Sequence, residues 1–309
     1  MKTNPMKPNR SNLSVPGHVK KMHGKAIDCA ADVVMLDLED SVPPDKKVTA
    51  RELVVQSLRH MNWKEKTVTV RVNSLDTPFA YRDILDIAEK AGDIINAIVL
   101  PKIHHPGDVH FVSRLLDGIE MAKRFKREIQ IEASIETARG MAAVSQIAQA
   151  SRRLKTLVFG VADYSNSIGA GLMSISGHGE NEANLYPGHR WHYSMSKMVM
   201  AAKANNLLAI DAPYGYFKDR EGLCHSASLA RALGFNGKWV IHPDQIDVVN
   251  QVFSPSPEDI KRAKTILDAC EAAEHNGKGA IGIEGRMVDQ ATLRLAKTLW
   301  AQAAYLGLV

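Results

Sequence analysis

The sequence predicts an α/β protein, a (β/α)8 TIM barrel followed by a C-terminal helical extension. Short apolar segments rich in β-branched residues alternate with longer amphipathic segments through most of the chain. This alternation is typical of a parallel sheet whose strands are joined by helices. Eight such units over about 240 residues have the length of a closed barrel. A doubly wound open sheet is the alternative, but such a sheet usually has a glycine-rich first turn, and no G-x-G-x-x-G follows a strand here.

The individual elements follow from two periodicities, apolar runs for strands and a 3.6-residue repeat for helices. The predicted strands are 12–15, 33–38, 67–72, 97–100, 130–135, 157–161, 207–210 and 238–241. The predicted helices between them are 18–30, 46–60, 78–90, 108–126, 138–149, 189–204 and 221–232, with a closing helix at 244–252. In the second helix the side chains of Val48, Leu53, Val54, Val55 and Leu58 fall broadly on one side, opposite the charges.

The C-terminal segment is set apart from the barrel by its proline and glycine residues. Two prolines, Pro255 and Pro257, follow the closing helix and precede a predicted helix at 258–274. Residues 275–285 are rich in glycine, and a last helix is predicted at 287–304. We therefore expect two domains, a catalytic barrel at 1–253 and an extension at 254–309. Glycine hinges suit motion, which favours a lid and subunit contact over simple packing on the barrel.

Composition limits the classes of function. The chain has 309 residues, a formal net charge of +5 and a pI of about 9.0. This mild, scattered excess suits a small polyanionic ligand, and no nucleic-acid recognition motif accompanies it. The three cysteines are far apart, which favours a reducing cytosol over disulfides or zinc. The polar N-terminus predicts no signal peptide, and no apolar run has the length of about 20 residues that a membrane span needs. We expect a cytoplasmic protein without a membrane or nucleic-acid partner.

Almost every predicted strand ends in a polar or charged residue. In barrel enzymes the active site lies at these carboxyl ends. Glu136 and Asp163 follow the fifth and sixth predicted strands, so their carboxylates would be neighbours. Mg²⁺ prefers oxygen ligands and keeps several waters, so this pair predicts a magnesium site with room for a chelating 2-keto acid. Such an ion would act as a Lewis acid on a developing enolate or alkoxide.

Other strand-end residues have both a structural and a functional interpretation. Glu39 and Asp40 either cap the loop after their strand or have a functional role in the active site. Arg71 points into the barrel and needs an anion, either a structural carboxylate or a substrate carboxylate held bidentately, and we favour the substrate. Lys102 is a surface lysine or a side chain at the top of the barrel. His242 is interpreted as a core histidine with satisfied hydrogen bonds.

The motifs at these positions resemble those of one family, the HpcH/HpaI aldolases and citrate lyase β subunits. The matching segments, in order, are Arg10-Ser-x-Leu-x-Val-Pro-Gly17, Leu36-Asp-Leu-Glu-Asp40, Val70-Arg-Val-Asn73, Leu100-Pro-Lys102, Ile135-Glu-Thr137, Phe159-Gly-x-x-Asp163 and Ile241-His-Pro243. The resemblance covers nearly the whole chain. The segments 186–193 and 209–215, and the C-terminal extension, resemble the malyl-CoA lyase branch of the family.

This resemblance implies a Mg²⁺-dependent lyase, with Mn²⁺ as a substitute, that cleaves a 3-hydroxyacyl-CoA such as malyl-CoA reversibly to glyoxylate and acetyl-CoA. By motif matching, Glu136 and Asp163 bind the metal and Arg71 holds the keto acid. Glu39 and Asp40 match acids near the metal's waters.

The resemblance also assigns roles outside the metal site. Asp289 matches an acid that the family's lid brings to a neighbouring subunit, where it is a candidate for proton transfer at the acetyl carbon. Arg10, Lys20 and Lys25 are candidates for binding CoA, and Lys102 is a further substrate-binding candidate. An acid supplied across an interface implies a homotrimer or homohexamer.

Several alternatives stay open at this point. The same site with water admitted would hydrolyse the thioester, as in malyl-CoA thioesterases. The chain would otherwise be a citramalyl-CoA or citryl lyase subunit of the β type, acting within a complex. A Schiff-base aldolase is a further mechanism, for which Lys102 is the well-placed lysine. A non-catalytic binding protein is disfavoured by the intact set of Arg71, Glu136 and Asp163.

Overall fold

The fold is a closed barrel of eight parallel strands in chain order, seen in a computed structural model. The structure describes residues 8–63, 66–170, 190–275, 281–283 and 286–309. The barrel strands are β1 (Ser11–Pro16), β2 (Val33–Asp37), β3 (Thr67–Arg71), β4 (Ala97–Leu100), β5 (Gln130–Ile135), β6 (Leu154–Phe159), β7 (Leu208–Asp211) and β8 (Gly237–Val240). The sheet closes because β1 pairs with β8, with Ser11 opposite Lys238. The predicted (β/α)8 barrel is confirmed, and the open sheet is excluded.

Alternate residues of each strand point into the barrel. One interior layer consists of Met35, Val99, Val158, Ile210 and Trp239, all at most 6% exposed. Because side chains alternate along a strand, residues two positions away share the interior face. Asp37 and Arg71 lie opposite each other at the carboxyl ends of β2 and β3. Charged side chains therefore lie at the carboxyl end of the barrel interior, next to this apolar layer.

The helices agree with the predicted amphipathic segments within a few residues. They are α1 (Lys20–Asp28), α2 (Lys47–His60), α3 (Ala80–Ala91), α4 (Pro106–Lys123), α5 (Ala138–Ala142), α6 (Val144–Ala148), α7 (Val161–Ser167), α8 (His192–Ala204), α9 (Arg220–Leu233), α10 (Ile246–Val252), α11 (Pro257–His275) and α12 (Gln290–Tyr305). Their ends follow the local sequence: Asp219 caps the start of α9 and Gly234, at φ 102°, ends it.

The end of β6 differs from the prediction. The predicted strand 157–161 in fact runs from Leu154 to Phe159, and α7 begins at Val161. Asp163 therefore lies in the first turn of a helix and not in a loop after the strand. An acid is favourable there because the helix dipole is positive at its N-terminus. A seven-residue helix is too short for its periodicity to stand out in the sequence.

Residues Asn9–Asn250 form one compact unit, and Gln251–Val309 belong to a second. In the second unit, α11 and α12 pack through a small apolar cluster of Ala263, Ile266, Val288 and Ala296. Two strands that the sequence did not predict, β9 (Ile281–Ile283) and β10 (Arg286–Val288), pair antiparallel between these helices. Three-residue strands in a glycine-rich segment leave no measurable alternation. A role of this unit as lid and subunit contact stays a prediction.

Two predicted features fall partly outside the described residues. Half of the 186–193 motif lies in 171–189, and most of the glycine-rich hinge lies in 276–280 and 284–285. Among the helices of the described ranges, none is both long and apolar enough to cross a membrane.

Candidate active site

Charged side chains from five consecutive strands converge at the carboxyl end of the barrel. β2 contributes Asp37 and the loop residues after it, β3 contributes Arg71, and β4 is followed by Lys102. Glu136 follows β5, and Asp163 lies in α7 just after β6. One cavity is lined by Ser14, Asp37, Asp40, Ser41, Arg71, Glu136, Gly160, Val161, Ala162, Asp163, Pro213, Trp239 and Ile241. The predicted metal pair and the predicted arginine therefore border the same space.

Arg71 is held by a carboxylate of the protein itself. Its Nε and Nη2 donate to the two oxygens of Asp37 at 2.7 and 2.8 Å, and both side chains are buried. Asp37 also accepts hydrogen bonds from the backbone N–H groups of Glu39 and Ser41. Burial raises the pKa of Asp37, but the charge and hydrogen bonds of Arg71 outweigh it and lower the pKa below its usual range. A structural carboxylate, Asp37, therefore takes the Nε–Nη2 edge of the guanidinium, and the binding of a substrate by Arg71 stays a prediction.

The rest of the guanidinium faces the cavity. Nη1 of Arg71 lies 2.9 Å from Oε2 of Glu39, and the guanidinium carbon lies 5.3 Å from the centre of the Trp239 ring. A cation over an aromatic face is stabilised by the ring quadrupole. Arg71 is thus fixed in orientation by Asp37 and Trp239, with one nitrogen directed toward the acids of the site.

Glu39 lies in a buried turn after β2. The ammonium of Lys47, at the start of α2, donates to the backbone carbonyls of Leu38 and Glu39 at 2.9 and 2.6 Å. These bonds fix the backbone that carries Glu39. Burial raises the pKa of the Glu39 carboxyl, although Arg71 lowers it in part.

Glu136 is almost completely buried, at 3% exposure. Its Oε1 accepts a hydrogen bond of 2.6 Å from the backbone N–H of Lys102. Burial, and then the charge of Glu39, raise the pKa of Glu136 to about 8 against the opposing charge of Arg71. A buried carboxylate in this setting would be stabilised by a cation.

Lys102 links the acids of the cluster. Its ammonium donates to Oε1 of Glu39 and lies 3.6 Å from Oδ1 of Asp40 and 3.3 Å from Oδ2 of Asp163. Burial lowers the pKa of Lys102, but the hydrogen bond and charge of Glu39 outweigh it and raise that pKa above its ordinary value. A lysine of raised pKa is a poor amine nucleophile, which argues against the Schiff-base mechanism.

The donor set suits a hard divalent cation. Glu136 and Asp163 offer carboxylate oxygens to one cavity, and Gly160 leaves room for the Glu136 side chain. Among the described residues no group of three or more His, Cys, Asp or Glu is arranged to hold a metal. Two protein carboxylates with the remaining positions filled by water or substrate are typical of Mg²⁺, so these residues fit the predicted ion.

The candidates for binding CoA do not gather at this cavity. Arg10 precedes β1, at the opposite end of the barrel, and its guanidinium pairs with Asp32 at 2.8 Å. Lys20 and Lys25 are exposed on α1, and Lys25 borders a second cavity between α1 and the ends of β1 and β8. The roles of the two lysines stay predictions.

Asp289 and His242 have clear local partners. Asp289 is exposed and caps α12 by accepting from the backbone N–H of Thr292 at 2.9 Å. His242 is not a core histidine, because its side chain is 40% exposed. Its Nδ1 accepts a hydrogen bond from the backbone N–H of Asp244, and its ring stacks on that of Phe217 with 4.6 Å between the ring centres. In the sequence His242 lies between a strand and a proline, and this position does not determine the direction in which its ring points.

Sequence reasoning missed two supports of the site. Trp239 points inward at the end of β8. Because neighbouring strand residues point to opposite faces, its alternation with Val240 was the sequence signal that could have predicted this orientation. Lys47 is a buried lysine at the first position of α2, and nothing in its sequence context distinguishes it from the exposed Lys46.

A closed parallel barrel that collects acids and a fixed arginine at the carboxyl ends of its strands defines this chain as a (β/α)8-barrel enzyme. The chain belongs to the HpcH/HpaI aldolase/citrate lyase family, whose sequence model matches residues 10–243. The predicted family resemblance is thereby confirmed.

Named relatives cover nearly the whole chain. An L-malyl-CoA/beta-methylmalyl-CoA lyase from Cereibacter sphaeroides is 40% identical over 304 residues, which are 97% of this chain and 96% of that protein. A (3S)-malyl-CoA thioesterase from the same species is 33% identical over 296 residues, 96% of this chain and 95% of that protein. Among solved structures, the CitE protein of Mycobacterium tuberculosis in complex with magnesium, acetoacetate and coenzyme A aligns with a TM-score of 0.77. That alignment has 29% identity and covers 96% of this chain and 98% of CitE.

Proposed function

We propose that this chain is a Mg²⁺-dependent carbon–carbon lyase that cleaves a 3-hydroxyacyl-CoA such as malyl-CoA reversibly to glyoxylate and acetyl-CoA. The observation that carries the proposal is the meeting of Glu136, Asp163 and Arg71 at one cavity. The 40% identity to an L-malyl-CoA/beta-methylmalyl-CoA lyase supports the reaction class. The magnesium, acetoacetate and coenzyme A bound by CitE support the choice of ion, keto acid and thioester.

Glu136 and Asp163 would hold the ion, which supplies Lewis acidity toward the oxygens of the keto acid when bound. Arg71 contributes a fixed positive charge through Nη1, because Asp37 already holds its other edge. Glu39 and Asp40 lie around the same lysine as Asp163 and are proposed to orient water and substrate. This preorganised charge favours a transition state in which negative charge develops.

The bond changes balance without a further reactant. In the cleavage direction the hydroxyl proton of malyl-CoA leaves to a base and the hydroxyl oxygen becomes the carbonyl of glyoxylate. The C–C bond breaks, and its electron pair becomes the enolate of acetyl-CoA. A proton then adds to the acetyl carbon, and Asp289 of a neighbouring subunit is the proposed donor. Because this donor belongs to a neighbouring subunit, we also propose that the chain assembles as a homotrimer or homohexamer.

A thioesterase is the second candidate, because a relative with that name is 33% identical. Hydrolysis would use the same site with water as the nucleophile and would release malate and free CoA. The higher identity of the lyases favours C–C cleavage. A citramalyl-CoA or citryl lyase subunit is a third candidate, and stable co-purification of other chains would support it.

Product analysis tests the proposal. The purified protein is treated with EDTA, supplied with Mg²⁺ or Mn²⁺, and given malyl-CoA, β-methylmalyl-CoA and citramalyl-CoA in parallel. The expected products from malyl-CoA are glyoxylate and acetyl-CoA, formed only with the metal. Malate with free CoA would support the thioesterase instead, and full turnover in EDTA would contradict the metal.

A further inference from the structure

Lys102 has a backbone conformation that side chains rarely adopt. Its φ is 51°, in the left-handed region, directly after the strand residue Leu100 and Pro101. Such a residue costs free energy unless its surroundings hold it. Here the backbone N–H donates to Oε1 of Glu136 at 2.6 Å, which is the bond that this conformation permits.

The side chain of the same residue engages the other acids. The ammonium donates to Glu39 and lies within 3.6 Å of Asp40 and 3.3 Å of Asp163. Its side chain is 27% exposed and that of Glu39 is 6% exposed, so these charges are only partly screened by water. One residue thus contacts four carboxylates, one through its backbone and three through its charge.

The charges of the cluster are not balanced by Lys102 and Arg71 alone. Glu39, Asp40, Asp163 and Glu136 offer four carboxyl groups, while Asp37 already occupies one edge of Arg71. The oxygen of Asp163 that faces the lysine, Oδ2, lies 3.3 Å from the ammonium. A divalent ion bound by the Asp163 carboxylate would repel this ammonium, because both carry positive charge in a partly buried site.

We propose that the Lys102 ammonium is a built-in counter-ion of this cluster and competes with the divalent cation for Asp163. The inference rests on the metal site of the proposed function. Binding of the ion would displace the ammonium from Asp163 and leave Lys102 on Glu39 and Asp40. Lys102 is then a positioning residue that keeps the acids together and sets the affinity of the site for the ion.

The first test compares Lys102→Met with wild type, using MgCl₂ as the only ligand. Removal of the ammonium frees Asp163, so isothermal titration should show Mg²⁺ binding that is roughly tenfold tighter. The variant should unfold at a lower temperature in EDTA, because like charges lose their counter-ion, and should gain more from added Mg²⁺. Lys155→Met is the matched control, since Lys155 is an exposed lysine near the opposite end of the barrel, and both quantities should stay at wild-type values.

The second test uses wild-type protein and so does not depend on the folding of a variant. Lysines are acetylated under limiting reagent with and without Mg²⁺, and the modified positions are measured by mass spectrometry. Displacement from Asp163 should raise the labelling of Lys102 relative to Lys155. Unchanged or reduced labelling, or Mg²⁺ affinity in Lys102→Met equal to or weaker than that of wild type, would overturn the inference.

These outcomes separate the inference from the proposed function. A protein that binds Mg²⁺ and cleaves malyl-CoA, but shows no effect of Lys102 on either measurement, refutes the inference alone. A protein in which Lys102 and Mg²⁺ compete as described, but which forms no glyoxylate, refutes the lyase alone. Absence of Mg²⁺ binding in wild type refutes both.

Discussion

Gly160 lies directly against the side chain of Glu136. A Cβ placed on Gly160 would stand 2.1 Å from Oε2 and 2.4 Å from Cβ of Glu136. The backbone of Gly160 has φ −101° and ψ 84°, outside the left-handed region, so the glycine is required for space and not for its torsion angles. The residue that follows β6 therefore determines where the carboxylate after β5 can lie.

Gly160→Ala should abolish or strongly reduce Mg²⁺ binding and turnover. The added methyl group forces the buried Glu136 side chain to move, and the backbone around it is packed in the barrel. We expect a loss of at least about 100-fold in kcat/KM, since small misplacements of catalytic groups have effects of this size. Titration with Mg²⁺ and steady-state kinetics measure both quantities.

Gly118→Ala is the matched control for this substitution. Gly118 lies in the middle of α4, is exposed, and would meet nothing within 4 Å. Alanine there should raise the free energy of unfolding by roughly 0.5–1 kcal/mol through its higher helix propensity, with activity unchanged. Retained Mg²⁺ affinity in Gly160→Ala would contradict the placement of Glu136 as a ligand.

Asp37→Asn should reduce both stability and activity. The asparagine keeps the shape but leaves the buried guanidinium of Arg71 without its bidentate anion. Removing one partner of a buried pair costs roughly 3–5 kcal/mol. Denaturant unfolding should detect this loss, and the KM for glyoxylate in the condensation direction should rise because Arg71 is no longer held. Wild-type stability in this variant would mean that Glu39 alone satisfies Arg71.

Much of the barrel could be predicted because its signals are local. Each strand is a short apolar run, and Glu136 stands directly after one of them. The pairing of Asp37 with Arg71 was not predictable in the same way. It depends on the register of β2 and β3, which places these two residues opposite each other. Register is fixed by the closure of the whole sheet and not by either segment.

Two assignments show where sequence reasoning lost information. Arg10 belongs to a family motif, yet it precedes its strand and so lies at the end of the barrel away from the cavity. Its position before the strand indicated this location, but the assignment followed the motif match instead. Lys102 follows its strand as expected. Its left-handed backbone and its contacts with carboxylates that follow β2 and β6 cannot be inferred from its own segment.

Glu132 should give the barrel a pH-dependent stability near neutrality. It points into the barrel beside Val99 and Thr156, and burial raises its pKa to about 7 while the Thr156 hydroxyl lowers it in part. For a carboxyl with a raised pKa, the folded state is favoured at low pH. That advantage is complete below the unfolded pKa of about 4.3 and is lost as the pH rises through about 7.

The variant Glu132→Gln removes this titration. Because each pKa unit corresponds to about 1.4 kcal/mol, the variant should be more stable than wild type by roughly 2–4 kcal/mol at pH 9 relative to pH 4.5. Denaturant unfolding across this range measures the difference. Glu52→Gln, an exposed substitution on α2, is the control and should leave the pH profile unchanged. If the free energy of unfolding of wild type and Glu132→Gln changes in parallel with pH, ionisation of Glu132 does not destabilise the folded state and the prediction is wrong.

Asp289→Asn separates the capping role of this residue from its proposed proton transfer. Asparagine accepts the hydrogen bond from the Thr292 N–H as well as aspartate does, so α12 keeps its cap and thermal stability should stay near that of wild type. It has no carboxylate to exchange a proton, so C–C cleavage should fall sharply, while Mg²⁺ and glyoxylate binding persist. Asp289→Ala removes both functions and should lower the free energy of unfolding as well, at equally low turnover. If Asp289→Asn cleaves malyl-CoA at the wild-type rate, Asp289 is only a helix cap and the proton donor is another residue.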